Sequence, residues 1–204
     1  MRSRRDVAIV DYGVGNFSSV MNTIRRLGYR CRISNDRSAL SASDVLILPG
    51  VGAFPAAMQH LRSTGLDAFV KERAGADQPL IGLCLGMQLL VSESVEHKTT
   101  SGLELIPGRV VSLDQAPWHI GWNTIENVSA DPMLSMSEGA AVYFNHSYVV
   151  ETPVEFQLCN SRLRKPFASG IRRGNVVGLQ FHPEKSQAAG REILRSVIEG
   201  LCSA

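Results

Sequence analysis

The chain has 204 residues, with 21 basic against 19 acidic side chains, so its formal charge is only +2. That balance gives no long-range field for nucleic acid or anionic lipid, and 44% hydrophobic with 20% charged residues is the composition of an ordinary globular domain. Four widely spaced cysteines are too few for a disulfide scaffold and carry no zinc-ligand spacing, which points to a reduced, cytoplasmic setting. The basic start is followed by an apolar run of only Val7–Val10, too short for a signal-peptide core.

In chain order, Val7–Val10 reads as a buried strand leaving into the turn Asp11-Tyr12-Gly13. Phe17, Val20, Met21, Ile24 and Leu27 form a 3.6-residue stripe, with Asn16 as N-cap and Gly28 as terminator. Residues 30–33 and 44–48 are further strands, the second stopped by Pro49-Gly50-Val51-Gly52. Helices follow through Phe54, Met58 and Leu61 and through Leu66, Phe69 and Val70. Pro79–Cys84 is the next strand, leading into a helix through Met87, Leu90 and Val91. This alternation predicts an α/β fold with a mostly parallel sheet covered on both faces.

The second half is strand-rich, at residues 109–113, 142–144, 148–150, 156–158, 167–172 and 176–180, and predicts an antiparallel extension of the same single domain over residues 1–204. Leu194, Val197, Ile198 and Leu201 predict a closing amphipathic helix.

Three loops carry the chemistry. Gly82-Leu83-Cys84-Leu85-Gly86 runs from a buried strand into a helix, the layout of a nucleophile elbow with cysteine as nucleophile. Such a turn strains the central residue and crowds its neighbours, which is why both flanking positions are glycine. A sulfur at a helix N-terminus is also favoured as thiolate. The bland alternative is a buried cysteine between packing glycines. A thiol nucleophile needs a base, and His182-Pro183-Glu184 supplies an imidazole at a strand end with a carboxylate two residues on. His60 and His97 stand in polar surroundings without a partner. Pro49-Gly50-Val51-Gly52 could aim backbone N–H groups at an oxyanion, or be a plain tight turn; no Gly-Lys-Ser or Gly-Lys-Thr follows, so it is not a P-loop.

Together Cys84, His182 and Glu184 resemble, in order and spacing, the nucleophile, base and orienting carboxylate of the class I (triad) glutamine amidotransferases. Six further blocks extend the resemblance over nearly the whole chain: 11–16, 48–54, 108–110, 119–123, 143–148 and 180–186. The resemblance implies a flavodoxin-like fold, hydrolysis of L-glutamine without metal or cofactor, and delivery of ammonia to a separate (β/α)8 cyclase subunit in a heterodimer of histidine biosynthesis. It implies oxyanion donors at the N–H groups of Val51 and Leu85, the first supplied by rotation of a peptide within Pro49–Val51. Gly50, Gly52, Gln88, Glu96, Ser147 and Tyr148 would contact the substrate. Asn16, His119, Trp122, Asn123, His146 and Lys185 would face or communicate with the cyclase. Outside the resemblance, Glu96 reads as a solvated loop carboxylate, Gln88 as a helix cap, Lys185 as a surface charge, and 119–123 as a packed turn with Trp122 as filler.

Overall fold

The computed structural model describes residues 4–114, 116–135 and 137–203; the first three residues of the basic start lie outside it. Its strands in chain order are β1 (Asp6–Val10), β2 (Arg30–Ser34), β3 (Val45–Gly50), β4 (Leu80–Cys84), β5 (Val91–Ser94), β6 (Thr100–Ser101) and β7 (Ile106–Ser112), then β8 (His119–Thr124), β9 (Glu126–Asn127), β10 (Ala141–His146), β11 (Tyr148–Glu151), β12 (Gln157–Arg162), β13 (Pro166–Arg173) and β14 (Val176–Leu179). The helices are α1 (Phe17–Arg26), α2 (Arg37–Ser41), α3 (Phe54–Thr64), α4 (Leu66–Gly75), α5 (Leu85–Leu89) and α6 (Gln187–Leu201). No helix among the described residues is long and apolar enough to cross a membrane.

The parallel part of the sheet runs β2-β1-β3-β4-β14, the flavodoxin-like order. Antiparallel β13 and β11 continue it toward β7, while β8 and β10 pair in a separate two-stranded sheet. Strand alternation explains why the core strands are apolar throughout. Val7, Ile9, Val45 and Ile47 face one buried layer with Val20, Ile24, Leu194 and Val197 from α1 and α6. Ala8, Val10, Leu46 and Leu48 face the other, with Phe54, Met58, Leu61, Phe69 and Val70 from α3 and α4. Every parallel strand ends at the same edge, which is where an open α/β sheet binds its ligands.

The structure corrects four local expectations. Asn16 precedes α1 but its side chain makes no capping hydrogen bond, although Gly28 does take the left-handed conformation just past the helix, at φ +92°. β3 continues through Pro49 and Gly50, which lie opposite Leu83 and Cys84. Proline is tolerated there because β1 pairs with β3 only as far as Ile47, so Pro49 owes no ladder N–H to that neighbour. The helix after Cys84 stops at Leu89, and Val91 opens a strand instead. The amides of Leu103, Leu105 and Glu104 bond the carbonyls of Leu89, Leu90 and Val91, a long-range pairing that helical periodicity does not encode. Residues 119–124 are a strand, and Trp122 is 50% exposed, not filler.

Candidate active site

The elbow is built as its glycines require. Cys84 has φ 54° and ψ −110°, a region that costs a non-glycine residue free energy and persists only when its surroundings impose it. The surroundings do so by close backbone packing. A Cβ on Gly82 would lie 2.6 Å from Gly86 O, and one on Gly86 would lie 1.8 Å from Leu48 O. Cys84 is buried at the end of β4 and is the residue from which α5 starts.

His182 follows β14 and is held from three sides. Its N–H donates to Tyr143 O at 2.9 Å, its carbonyl accepts from Ser186 Oγ at 2.7 Å, and Ser186 Oγ accepts in turn from Tyr143 N–H at 2.9 Å. Pro183 ends the extended run and a 3₁₀ turn, Pro183–Lys185, folds Glu184 back under the ring. Glu184 Oε1 lies 2.8 Å from His182 Nδ1, with both side chains almost fully buried. That contact commits Nδ1 and leaves the other ring nitrogen for Cys84, which lines the same cavity. Burial by itself would lower the His182 pKa, but hydrogen bonds and charge from Cys84 and Glu184 outweigh it and hold the ring well above its ordinary value. Burial instead dominates the other three thiols, pushing Cys31 up to about 11, Cys159 up to about 12, and Cys202 up as well. Those are the inert cysteines.

A cavity of about 200 Å³ opens onto Cys84 and His182. Val51, Gly52, Leu85, Gln88 and Glu96 line it, together with His146, Ser147, Tyr148 and Lys185. Gly50 lies beneath Val51 instead, facing a second small space that Asn16 and Glu184 also line. His119, Trp122 and Asn123 lie outside the cavity on β8.

Two expectations change at this level. Glu96 is buried rather than solvated: its Oε2 accepts from Phe54 N–H at 2.7 Å and so satisfies the open N-terminus of α3. Gln88 does not cap its helix; its Nε2 donates to Tyr148 O and to Gln180 Oε1, each at 3.1 Å. Tyr148 O also takes His146 Nδ1 at 2.9 Å, which fills both its lone pairs. Two functional neighbours were missed from sequence. Gln180, fully buried, donates to Cys84 Sγ at 3.8 Å, and Asn145 O accepts from the thiol at 3.9 Å. A glutamine directly after the apolar run Val176–Leu179 was the available signal for the first; the second is a backbone atom and left none.

A strained cysteine, a buried imidazole and a paired carboxylate at the carboxyl edge of a parallel sheet are the arrangement that cysteine-based acyl transfer requires. The family "Glutamine amidotransferase class-I" matches residues 8–199, and the chain belongs to it. Solved structures agree on the fold: a glutamine amidotransferase from Thermotoga maritima superposes with TM-score 0.73 at 15% identity, covering 100% of both chains. PurLQS from the same organism does so with TM-score 0.77 at 14% identity, covering 97% of this chain and 99% of its own.

Sequence relatives narrow the family further. "Imidazole glycerol phosphate synthase subunit HisH" of Listeria monocytogenes is 42% identical over 197 residues, covering 95% of each chain. The proteins of the same name from Halalkalibacterium halodurans (44%, covering 93% of this chain and 94% of the other) and Carboxydothermus hydrogenoformans (40%, covering 95% and 98%) are equally near. The chain is a HisH-type glutamine amidotransferase.

Proposed function

We propose that this chain is the glutaminase half of an imidazole glycerol phosphate synthase. It hydrolyses L-glutamine to glutamate and ammonia, and hands the ammonia to a (β/α)8 cyclase subunit in a heterodimer. The cyclase joins it to N′-[(5-phosphoribulosyl)formimino]-AICAR-phosphate, releasing imidazole glycerol phosphate and AICAR. The observation that carries this reading is the Cys84–His182–Glu184 arrangement: a strained thiol beside an imidazole whose Nδ1 is held 2.8 Å from a buried carboxylate.

Each group has one task. The Cys84 thiolate attacks the side-chain amide carbon of glutamine, and the negative charge moves to the amide oxygen. The N–H groups of Val51 and Leu85, residues that line the cavity with Cys84, receive that oxyanion. His182 gives its proton to the departing nitrogen, so ammonia leaves and a γ-glutamyl thioester remains on Cys84. A water, deprotonated by His182, then cleaves the thioester to glutamate and free thiol. Glu184 fixes the ring's tautomer and stabilises the imidazolium formed on the way. Gln88 and Glu96 also line the cavity; with both Gln88 N–H groups committed elsewhere, their free oxygens accept and suit the α-ammonium group of the substrate.

The docking face for the cyclase is read from exposure. Ile120 and Trp122 alternate on one side of β8 and, with Trp118, are 59%, 50% and 61% exposed. Two indoles and an isoleucine left to solvent are the composition of an interface core. Trp122 meets Tyr143 edge-on at 6.0 Å, and Lys185 Nζ sits 5.7 Å over the same Tyr143 ring, so the patch reaches the mouth of the glutamine cavity. The test is alkylation by a glutamine-analogue chloroketone followed by mass spectrometry. Labelling of Cys84 alone is expected; labelling elsewhere, or none, contradicts the assignment.

A further inference from the structure

We propose that Tyr12 is a positioning residue for the oxyanion turn, its hydroxyl fixing the Pro49 carbonyl so that rotation is confined to the next peptide, Gly50–Val51. This rests on the glutaminase reading above and deepens it.

Tyr12 follows β1 and is 2% exposed, its ring in the apolar layer beneath α3. Asp11 Oδ1 accepts from Gly13 N–H at 3.0 Å, which turns the chain sharply after Tyr12 and leaves the phenol pointing across to β3. The hydroxyl donates to Pro49 O at 2.7 Å, in a buried hydrogen bond. It lies so directly under the strand that a Cβ on Gly50 would be 2.7 Å from it. Burial above all holds the phenol pKa above its ordinary value, so the group remains a donor.

A second clamp lies downstream, where Glu96 Oε2 holds the Phe54 N–H at 2.7 Å. Between the clamps stand four residues, Gly50, Val51, Gly52 and Ala53. Gly52 sits at φ +90° with no atom within 4 Å of where a Cβ would be, so its glycine serves backbone freedom rather than packing. Val51 is 40% exposed. Upstream, nothing can turn: the pyrrolidine ring fixes φ of Pro49, and Tyr12 fixes the carbonyl. The first peptide free to rotate is therefore Gly50–Val51, the one that carries the Val51 N–H. Without the anchor, rotation spreads over two peptides and the donor no longer arrives at one place.

The experiment compares wild type, Tyr12→Phe and a chain with 3-fluorotyrosine at position 12, each in complex with the cyclase. Misplacing one oxyanion donor predicts that Tyr12→Phe lowers kcat for glutamine about tenfold, with KM for glutamine nearly unchanged and ammonia-driven synthesis intact. Fluorotyrosine keeps the donor and the wild-type kcat. An unchanged kcat in Tyr12→Phe, an equal fall in ammonia-driven turnover, or a fluorotyrosine protein as slow as Tyr12→Phe overturns the proposal. A wild-type complex that fails to hydrolyse glutamine overturns the glutaminase reading itself.

Discussion

His119 Nδ1 lies 3.0 Å from His146 Nε2, and together with the Tyr148 carbonyl on the far side of His146 this contact fixes the tautomer of both rings. His146 Nδ1 faces the Tyr148 carbonyl, which can only accept, so that nitrogen carries the proton. In the neutral ring Nε2 is then an acceptor, and His119 Nδ1 must be the donor. A directed chain thus runs from β8 to Tyr148 O, where Gln88 also ends. Stacking of His119 on Phe144, with centroids 4.7 Å apart, seals it from water. The chain connects the strand bearing the exposed Trp122 indole to the wall of the glutamine cavity.

That neutral pair makes the protein acid-sensitive. Burial above all holds His146 down at about 4 against an ordinary 6.5, and it lowers His119 too. Between those values the unfolded chain binds a proton that the folded one refuses, so stability is complete above pH 6.5 and falls as pH drops toward 4. For His146 alone the loss is about 3 kcal/mol. Denaturant titrations of wild type and His146→Gln check this: the variant is expected to show a shallower decline over that window, and parallel curves would contradict it.

His182 carries the opposite sign. Its pKa is raised by Cys84 and Glu184, so the stabilisation is fully present below pH 6.5 and is lost as pH climbs toward the folded value. Glu184→Gln removes one of the two causes. The stability gap between wild type and Glu184→Gln should therefore be larger at pH 6 than at pH 9, and kcat should fall on the order of 10³-fold or more as the imidazolium loses its partner. A gap that widens with pH contradicts the sign.

The elbow tolerates no side chain at position 86. Gly86→Ala would place a Cβ 1.8 Å from Leu48 O, between two buried backbones that have no room to part. A loss of about 3 kcal/mol or more is expected by equilibrium unfolding. A change under about 1 kcal/mol would mean the β3–α5 approach is looser than described.

The features legible in the sequence are those whose causes are local. The Gly82-Leu83-Cys84-Leu85-Gly86 turn, the return of Glu184 under His182, and the apolar strands all arise within a few residues. The features that escaped depend on distant partners. Glu96 reads as a solvated loop residue because Phe54, whose amide it caps, is 42 positions away. Pro49 reads as a strand terminator because its tolerance depends on where β1 stops. Trp122 by itself reads as core filler, and only the resemblance assigns it to a partner face; the paired register of β8 with β10, a long-range feature, is what turns it outward.

The exposed face gives a binding prediction. Trp122→Asp removes an indole and puts a charge into the proposed interface, without touching the core. Affinity for the cyclase should weaken by about 2 kcal/mol or more, roughly 30-fold, while the melting temperature of the free chain stays within a few degrees. Unchanged affinity by titration calorimetry would place the interface elsewhere.

The central claim is that Cys84 makes ammonia for chemistry done on another chain. It is tested most directly by assaying the Cys84→Ala complex with the cyclase on both nitrogen sources. Imidazole glycerol phosphate formation should vanish with glutamine and continue at the wild-type rate with free ammonia. Retained glutamine-dependent turnover, or loss of both, would contradict the account.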